Sequence, residues 1–367
     1  MIHDSPIIQE IIQGKGKPPS IILYNEEQIK DLVNICHDDK SKTVLGIDRT
    51  FNLGSCYVTS IVFQHPNLVR TSTQTSPIML GPVYLHWDGS YNTYHRFFSH
   101  LQSVLDISIS ETHLGFSNVI VGSDEEKALM KAAQQCFPDA TFVLCTRHLQ
   151  DNCGRYLTKK IGLDDKRKSK ILNDIFGSNG PLSVNDIVDF EAEVVHLAEI
   201  YEVELPLFSS YFRNRLVPLL RYYVVAPRLH KNSVPMNWKN NCCEAMNHIM
   251  KLNMNWKPSK LPDLIDHLHD IVKLQYLEMQ RAMYGQGNYQ LATWVSGKFR
   301  IHPQAWATKT DLEKKQLLHK FLSWHRKHTK FVTSSDGKLN VPRTPLTAKK
   351  PGQRKRIRTA KTVTFNS

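Results

Sequence analysis

The sequence has no apolar run long enough to cross a membrane and no regular pattern of cysteines. A membrane-spanning helix needs about 20 apolar residues, and the longest runs here hold only a handful. The seven cysteines lack paired spacings, and no basic segment followed by an apolar run opens the chain. We therefore expect a soluble protein from a reducing compartment, with no membrane partner.

Glycine and proline are not enriched either, at 17 and 18 of 367 residues, which excludes a collagen-like or low-complexity chain. Hydrophobic residues make up 41% of the sequence, enough to bury a core, so global disorder is also excluded. A single core stops growing at about 250–300 residues. We therefore expect two subdomains, or one domain that carries an insertion.

Charge is the unusual feature of the composition, because 47 Lys and Arg against 34 Asp and Glu give a net charge of +13. A basic excess favours a polyanionic partner such as nucleic acid. Residues 342–367 hold eight of the basic residues and no acid, which predicts a disordered tail and leaves the rest at +5. The tail is typical of a nuclear-import signal or of an arm that binds nucleic acid nonspecifically, carried by Lys349, Lys350, Arg354, Lys355, Arg356 and Arg358.

Hydrophobic periodicity predicts an α/β fold, a mixed sheet flanked by helices, because strand-like runs are followed by strands that alternate with helices. Strands are predicted at 43–47, 56–63, 78–86, 118–122 and 141–144. Helices are predicted at 25–36, 91–106, 125–136, 240–251 and 260–283.

The character of the sequence changes between about 155 and 235, where basic, acidic and aromatic helical segments replace strands. This pattern indicates a helical insertion. We divide the chain into a leader and helix (1–40), a first α/β part (41–155), the insertion (156–235), the α/β completion (236–285), a C-terminal helical region (286–341) and the tail (342–367).

Two aspartates follow apolar strands, at the edge where open α/β sheets bind their ligands. Asp48 follows the strand at 43–47, and Asp124 follows the strand at 118–122. A carboxylate pair in that setting suits a hard divalent cation such as Mg²⁺. The alternative is that Asp48 begins a turn and Asp124 caps the helix at 125–136.

A third acid lies on a predicted helix whose polar residues share one face. These residues are Glu244, Asn247, His248 and Lys251. An amide-rich face of this kind suits a surface that contacts phosphate and metal, although it is also compatible with a solvated helix.

These residues belong to an ordered set of motifs that resembles the transposase domain of Mutator-like elements, in their animal branch. The set comprises D-R-T-F at 48–51, S-D-E-E-K-A-L at 123–129, F-P-D-A at 137–140, C-T-R-H at 145–148 and N-N-C-C-E-A-M-N at 240–247. G-P-V-Y-L-H at 81–86 and Tyr94, Phe97 and Phe98 add to it. The resemblance covers about residues 21–330.

The resemblance implies a ribonuclease-H-like fold, interrupted by a helical insertion before the third acid of a D-D-E triad. Asp48, Asp124 and Glu244 match the three acids, which would bind two Mg²⁺ or Mn²⁺ ions and cleave and join DNA at transposon ends. It also implies a nuclear protein that assembles as a homo-oligomer on those ends, without a small-molecule cofactor. Arg49 and Glu125 depart from the family pattern beside the first and second acids.

Two other functions remain open at this stage. One is a domesticated, transposase-derived protein that binds DNA and regulates without chemistry. The other is an α/β interaction protein that needs no metal.

A C-x₂-H-x₄-C cluster follows the second acid and is formed by Cys145, His148 and Cys153. Zinc needs four tetrahedral ligands, so His248 or a distant histidine would have to supply the fourth. The alternative is a buried Cys–His pair that orients the insertion against the sheet.

Two basic surfaces are predicted to bind DNA, besides Asn247 and Lys251 on the helix of Glu244. One is formed by Lys159, Lys160, Arg167 and Lys168, and the other by Arg213, Arg215 and Arg221 among aromatic residues. The alternative for both is a solvated or packing helix face. Five tryptophans are expected to pack rather than contact DNA, namely Trp238, Trp256, Trp294, Trp306 and Trp324.

Overall fold

The computed structural model describes residues 7–14, 16, 18–37, 43–110, 119–230, 234–324, 332–333 and 339–340. Two compact units divide the chain, one spanning Met1–Trp324 and the other His325–Ser367. Every predicted site residue outside the basic tail lies in a described part of the first unit.

Seven strands of the first unit form one mixed sheet. The strands of the first unit are β1 (Ile8–Ile12), β2 (Ser20–Leu23), β3 (Val44–Thr50), β4 (Tyr57–Gln64), β5 (Leu68–Arg70), β6 (Ile78–His86), β7 (Ile120–Ser123), β8 (Thr141–Leu144) and β9 (Tyr289–Leu291). The order across the sheet is β1-β2-β6-β4-β3-β7-β8, while β5 pairs separately with β9. β3, β7 and β8 run parallel to one another, and the other neighbours are antiparallel.

The strands with the strongest apolar pattern agree best with the sequence. β6 and β8 match the predicted runs residue for residue, and both are buried over nearly their whole length. β1 differs from the prediction, which places residues 8–12 in the leader. Ile8 and Ile11 are exposed, so this edge strand has no buried apolar face that a pattern could reveal.

Helices flank the sheet, and the predicted α/β class is confirmed. The helices outside the insertion are α1 (Glu26–His37), α2 (Tyr91–Ser110), α3 (Lys127–Cys136), α10 (Asn241–Asn253), α11 (Leu261–Met283), α12 (Thr293–Phe299), α13 (Pro303–Ala307) and α14 (Asp311–Leu322). α1 begins at a capping box, in which the Gln28 N–H donates to Asn25 Oδ1 (2.9 Å) and the Asn25 N–H donates to Gln28 Oε1 (2.8 Å).

Successive residues of β3 face opposite sides of the sheet, as strand geometry requires. Gly46 and Asp48 face α10, which packs on β3, β4 and β6. Arg49 faces the side of α2 and α3, where it pairs with Glu126. On that side Tyr84 of β6 stacks on Phe97 of α2, with ring centroids 5.3 Å apart. The core therefore extends over both faces.

The segment between β8 and α10 contains only helical elements among its described residues. They are α4 (Thr146–Tyr156), α5 (Asp165–Phe176), α6 (Ile187–Glu204), α7 (Pro206–Tyr211), α8 (Val217–Leu220) and α9 (Ala226–His230). A 3₁₀ turn at Pro181–Ser183 and π-helical segments at Leu157–Ile161, Phe212–Leu216 and Arg221–Val225 link them. The predicted insertion, residues 156–235, lies within this helical segment, which begins earlier, at Thr146.

In the second unit the described residues form one antiparallel pair, β10 (Val332–Thr333) with β11 (Leu339–Asn340). The predicted basic tail, with its nuclear-import residues, lies outside the described residues. None of the described helices is both long and apolar enough to span a bilayer.

Candidate functional site

Asp48 and Asp124 lie side by side on neighbouring parallel strands. Ile47 of β3 is in register with Ser123 of β7. Asp48 is the next residue of β3, and Asp124 is the residue that follows β7. β3 continues to Thr50, so Asp48 lies within its strand rather than at its end. Burial and the charge of Asp124 both raise the pKa of Asp48 above its usual range. The two carboxylates are therefore close enough to repel each other.

The α10 region holds both aspartates through amide side chains. Asn247 Nδ2 donates to Asp48 Oδ2 (2.8 Å), and Asn240 Nδ2, at the helix start, donates to Asp124 Oδ1 (3.2 Å). The Thr50 hydroxyl donates to Asn247 Oδ1, which fixes the amide with its nitrogen toward Asp48. Two of the three asparagines in the N-N-x-x-E-x-x-N motif therefore bind the predicted acids.

Two glycines inside strands allow α10 and the segment before it to come this close. A Cβ atom at Gly46 would lie 2.7 Å from Cys243 Sγ, and one at Gly122 would overlap the ring of Trp238. A glycine inside a strand often marks such an approach of other atoms to the backbone. The signal for this contact was therefore present in the sequence.

Glu244 lies on the same helical face as Asn240 and Asn247, four residues after the first and three before the second. Its side chain is 41% exposed, and Arg147 Nη1 lies 3.2 Å from its Oε2. Among the described residues, Glu244 does not join Asp48 and Asp124 in a group whose ligand atoms all lie within 4.8 Å of one another. The structure thus places the third acid on the helix that contacts the pair, with its carboxylate held by Arg147.

Asp124, Cys145 and His148 form a group that can hold a metal ion, since their ligand atoms all lie within 4.8 Å of one another. His148 Nδ1 is 2.9 Å from Asp124 Oδ1, in a bent contact that is an ion pair rather than an aligned hydrogen bond. Cys145 Sγ accepts the backbone N–H of Asn240 (3.2 Å), so the thiol also ties α4 to the start of α10.

The electrostatics of this group favour a charged imidazole and an acidic thiol. The Asp124 carboxylate and the Cys145 thiol raise the pKa of His148 to about 10. Burial alone would raise the pKa of Cys145, but contacts with His148 and the Asn240 N–H lower it below its usual value. A bound cation would replace the proton that the cluster otherwise retains.

Cys153, the third residue of the C-x₂-H-x₄-C motif, does not belong to this group. It lies five residues after His148, and five helical positions turn a side chain about 140° around the axis. Cys153 therefore faces the core, where burial raises its pKa to about 12. His248 is also elsewhere, in edge-to-face contact with Trp256 at 5.2 Å between ring centroids.

The alternative role of Asp124 as a helix cap is wrong. The N-cap of α3 is Glu126, which makes no capping hydrogen bond, while the Asp124 carboxylate contacts His148 and Asn240. Arg49 does not reach the acids either, because it faces the other side of the sheet, 3.3 Å from Glu126.

Glu125, the other departure from the family pattern, points into the insertion. It accepts hydrogen bonds from Asn152 Nδ2 (3.1 Å) and from Arg215. This glutamate therefore links α3 to the insertion and adds no third carboxylate to the aspartate pair.

The insertion arginines predicted to bind DNA are all engaged in ion pairs. Arg221 forms a bidentate pair with Glu191 at 2.6 Å, Arg213 contacts Glu202 at 2.5 Å, and Arg215 pairs with Glu125. These contacts match the packing alternative for this surface.

The lysine-rich surface is more open. Lys159, Lys160 and Arg167 are exposed, whereas Lys168 contacts Asp165 at 2.6 Å. Lys251 on α10 is half-buried. DNA binding by these residues stays a prediction.

The tryptophans divide into two groups. Trp306 is buried and Trp238 packs over Gly122, as expected. Trp256 and Trp294 are 57% and 50% exposed, so these two are not core residues, although Trp256 contacts His248 and Trp294 hydrogen-bonds to Asn67.

In comparisons with protein-family models and with curated proteins, nothing matches this chain.

Proposed function

We propose that the chain is a DNA transposase of the Mutator-like type, with Asp48, Asp124 and Glu244 as its triad. The observation that carries this proposal is that Asn240 and Asn247 bind the two aspartates from either side of Glu244 on one helical face. Residues from motifs that are far apart in the sequence, which the resemblance groups together, are thus close together in space. The mixed sheet and the helices that precede α10 are compatible with a ribonuclease-H-like fold.

The residues around the aspartate pair fit a divalent cation. The two carboxylates repel each other, and a cation between them would relieve that repulsion. Asn240 Oδ1 is buried and has no hydrogen-bond partner among the described residues, which is unusual for a polar atom and is explained by a bound ion or its water. Carboxylate and amide oxygens are the ligands that Mg²⁺ and Mn²⁺ prefer.

A cation held there would act as a Lewis acid on the phosphodiester and lower the pKa of the attacking water or 3′-hydroxyl. The protein's own part is positioning: Asn247 fixes the Asp48 carboxylate, and Asn240 fixes that of Asp124. The pair of Glu244 with Arg147 is largely exposed, and such pairs contribute only about 0–1 kcal/mol. Glu244 can therefore leave Arg147 and bind a cation with little loss of free energy.

A second function, DNA binding without chemistry, is favoured by one observation. Glu244 is held by Arg147 and does not converge on the aspartates within the distance of a shared ligand group. A protein that keeps this arrangement when it binds DNA would have no complete triad.

The test is cleavage of DNA that carries the element's own ends, in Mg²⁺ or Mn²⁺. Asp48→Asn keeps the side-chain shape and an oxygen that can accept from Asn247, so the fold should persist. We expect this variant to lose at least about 100-fold in cleavage rate, which is the usual effect of removing one electrostatic group from an active site. Asp139→Asn, which neutralises an exposed aspartate after α3, is the matched control and should cleave like the wild type.

Equal cleavage by the wild type and Asp48→Asn would exclude the triad. No cleavage by either protein, with DNA binding retained, would favour the regulatory function.

A further inference from the structure

An exposed tryptophan follows the helix of Glu244 in an unfavourable backbone conformation. Asn255 and Trp256 both have positive φ angles, 52° and 60°. Asparagine often adopts this left-handed conformation, but a bulky side chain rarely does, and glycine is usual at such a helix end. The Trp256 N–H donates to the Lys251 carbonyl (2.8 Å), which closes the last turn and holds the residue there.

The conformation presents the indole to solvent instead of burying it. Trp256 is 57% exposed, and His248 contacts its ring edge-to-face at 5.2 Å between centroids. Unfavourable backbone conformations persist where surrounding contacts fix them, and they cluster at functional sites. A large apolar ring held in solvent in this way indicates a binding surface.

A second exposed aromatic ring lies on the adjoining loop, three residues after Asp48. Phe51 is 47% exposed and is followed by Asn52, which also has a positive φ of 63°. The two loops touch, because the Ser259 N–H donates to the Leu53 carbonyl (2.9 Å). The Phe51 ring itself lies on the side of the sheet opposite Asp48, beside the Arg49 guanidinium, which is 5.0 Å from the ring centroid. Of the two rings, Trp256 is therefore the one that follows the helix of Glu244, and its loop contacts the loop after β3.

The segment that carries Trp256 is positively charged. Residues 251–260 include Lys251, Lys257 and Lys260 and no acid, and the last two lysines are exposed. Aromatic faces among cations are the surface that binds unpaired nucleic acid, since bases stack on the rings and the cations neutralise phosphates.

We propose that Trp256 forms a stacking platform for an unpaired base of a DNA strand whose phosphate lies at the acidic site. The platform rests on the proposed function and adds the form of its substrate, which is DNA opened next to the cleavage point. A ring can stack only on a base whose face is free, so an intact duplex offers no partner except at its end.

The experiment measures binding without chemistry, by fluorescence anisotropy in EDTA at fixed salt. The probes are a labelled duplex with a single-stranded overhang and the same duplex with blunt ends. Stacking of one base is lost in Trp256→Ala, so its affinity for the overhang probe should fall about tenfold, within a range of roughly 5- to 150-fold. Trp256→Phe, which keeps a ring, should recover most of that affinity.

Trp294→Ala is the matched control, because Trp294 is 50% exposed but donates its indole N–H to Asn67 (3.1 Å), and it follows β9 rather than α10. Trp294→Ala should bind both probes with the affinity of the wild type. Trp256→Ala should bind the blunt probe with the affinity of the wild type. Thermal unfolding of each variant checks that the fold persists.

Equal affinity of the wild type and Trp256→Ala for the overhang probe would overturn the platform and leave the proposed function standing. A wild type that binds neither probe would overturn both. A change of oligomeric state in Trp256→Ala, with DNA affinity intact, would mean that the surface binds protein and would also overturn the platform.

Discussion

Two regions of the protein use polar residues in opposite ways. In the insertion, charged groups satisfy one another, as in the pairs of Arg221 with Glu191 and of Arg213 with Glu202. At the aspartate pair, Asn240 Oδ1 is buried and has no hydrogen-bond partner in the part of the chain that the structure describes. Charge content therefore does not identify the binding surface, whereas a pair of carboxylates that repel each other does.

Acid should affect the stability of the sheet and that of the insertion differently. Buried neutral groups stabilise the sheet, whereas exposed ion pairs connect the helices of the insertion. His86 of β6 is fully buried, donates from Nδ1 to the Asp88 carbonyl (2.7 Å) and contacts Thr59 Oγ1 through Nε2 (2.8 Å). Burial lowers the pKa of His86 from 6.5 to about 4.

Because of the lowered pKa of His86, we expect the free energy of unfolding to fall by about 3 kcal/mol as the pH falls from 6.5 to 4. The sign follows because the unfolded chain binds the proton at higher pH than the folded one. Urea unfolding across that range measures the loss. His86→Gln cannot take up the proton, so a variant with the same pH slope as the wild type would contradict this prediction.

Replacing a glycine by alanine should have opposite effects on stability in the two regions. Gly122→Ala would force a Cβ atom into the Trp238 ring, and overpacking of this kind costs about 1–3 kcal/mol. Gly154→Ala, in α4 of the insertion region, meets only Leu172 Cδ1 at 3.4 Å and should stabilise the helix by about 0.5–1 kcal/mol. Thermal unfolding distinguishes them, and a Gly122→Ala variant as stable as the wild type would show that the segment before α10 does not need this close approach.

The smallest effect is expected in the insertion itself. Arg221→Gln breaks an ion pair that is about one-third exposed, so we expect a loss of less than about 1 kcal/mol and unchanged DNA affinity. Lys159→Gln combined with Lys160→Gln should instead weaken DNA binding and reduce the slope of log affinity against log salt by about 2. The reverse result would make the paired arginines the DNA surface.

The adjacency of the two aspartates could be predicted from the sequence, because Asp48 and Asp124 follow apolar runs and parallel neighbours end at one edge. The orientation of Arg49 was also predictable, since strand alternation places it opposite Asp48. The contact of Asn240 with Asp124 was not, because it depends on how the chain returns after about 115 residues of intervening sequence. The exposure of Trp256 likewise depends on a positive φ angle that no apolar pattern encodes.

The most direct test of the central claim, that Asp48, Asp124 and Glu244 act as one cation site, is calorimetric titration with Mn²⁺. We predict that the wild type binds the ion and that Asp48→Asn and Glu244→Gln each weaken binding at least about tenfold, as loss of a ligand requires. Glu199→Gln, an exposed glutamate of α6 in the insertion, should bind like the wild type. Equal Mn²⁺ affinity in the wild type, Asp48→Asn and Glu244→Gln would contradict the account.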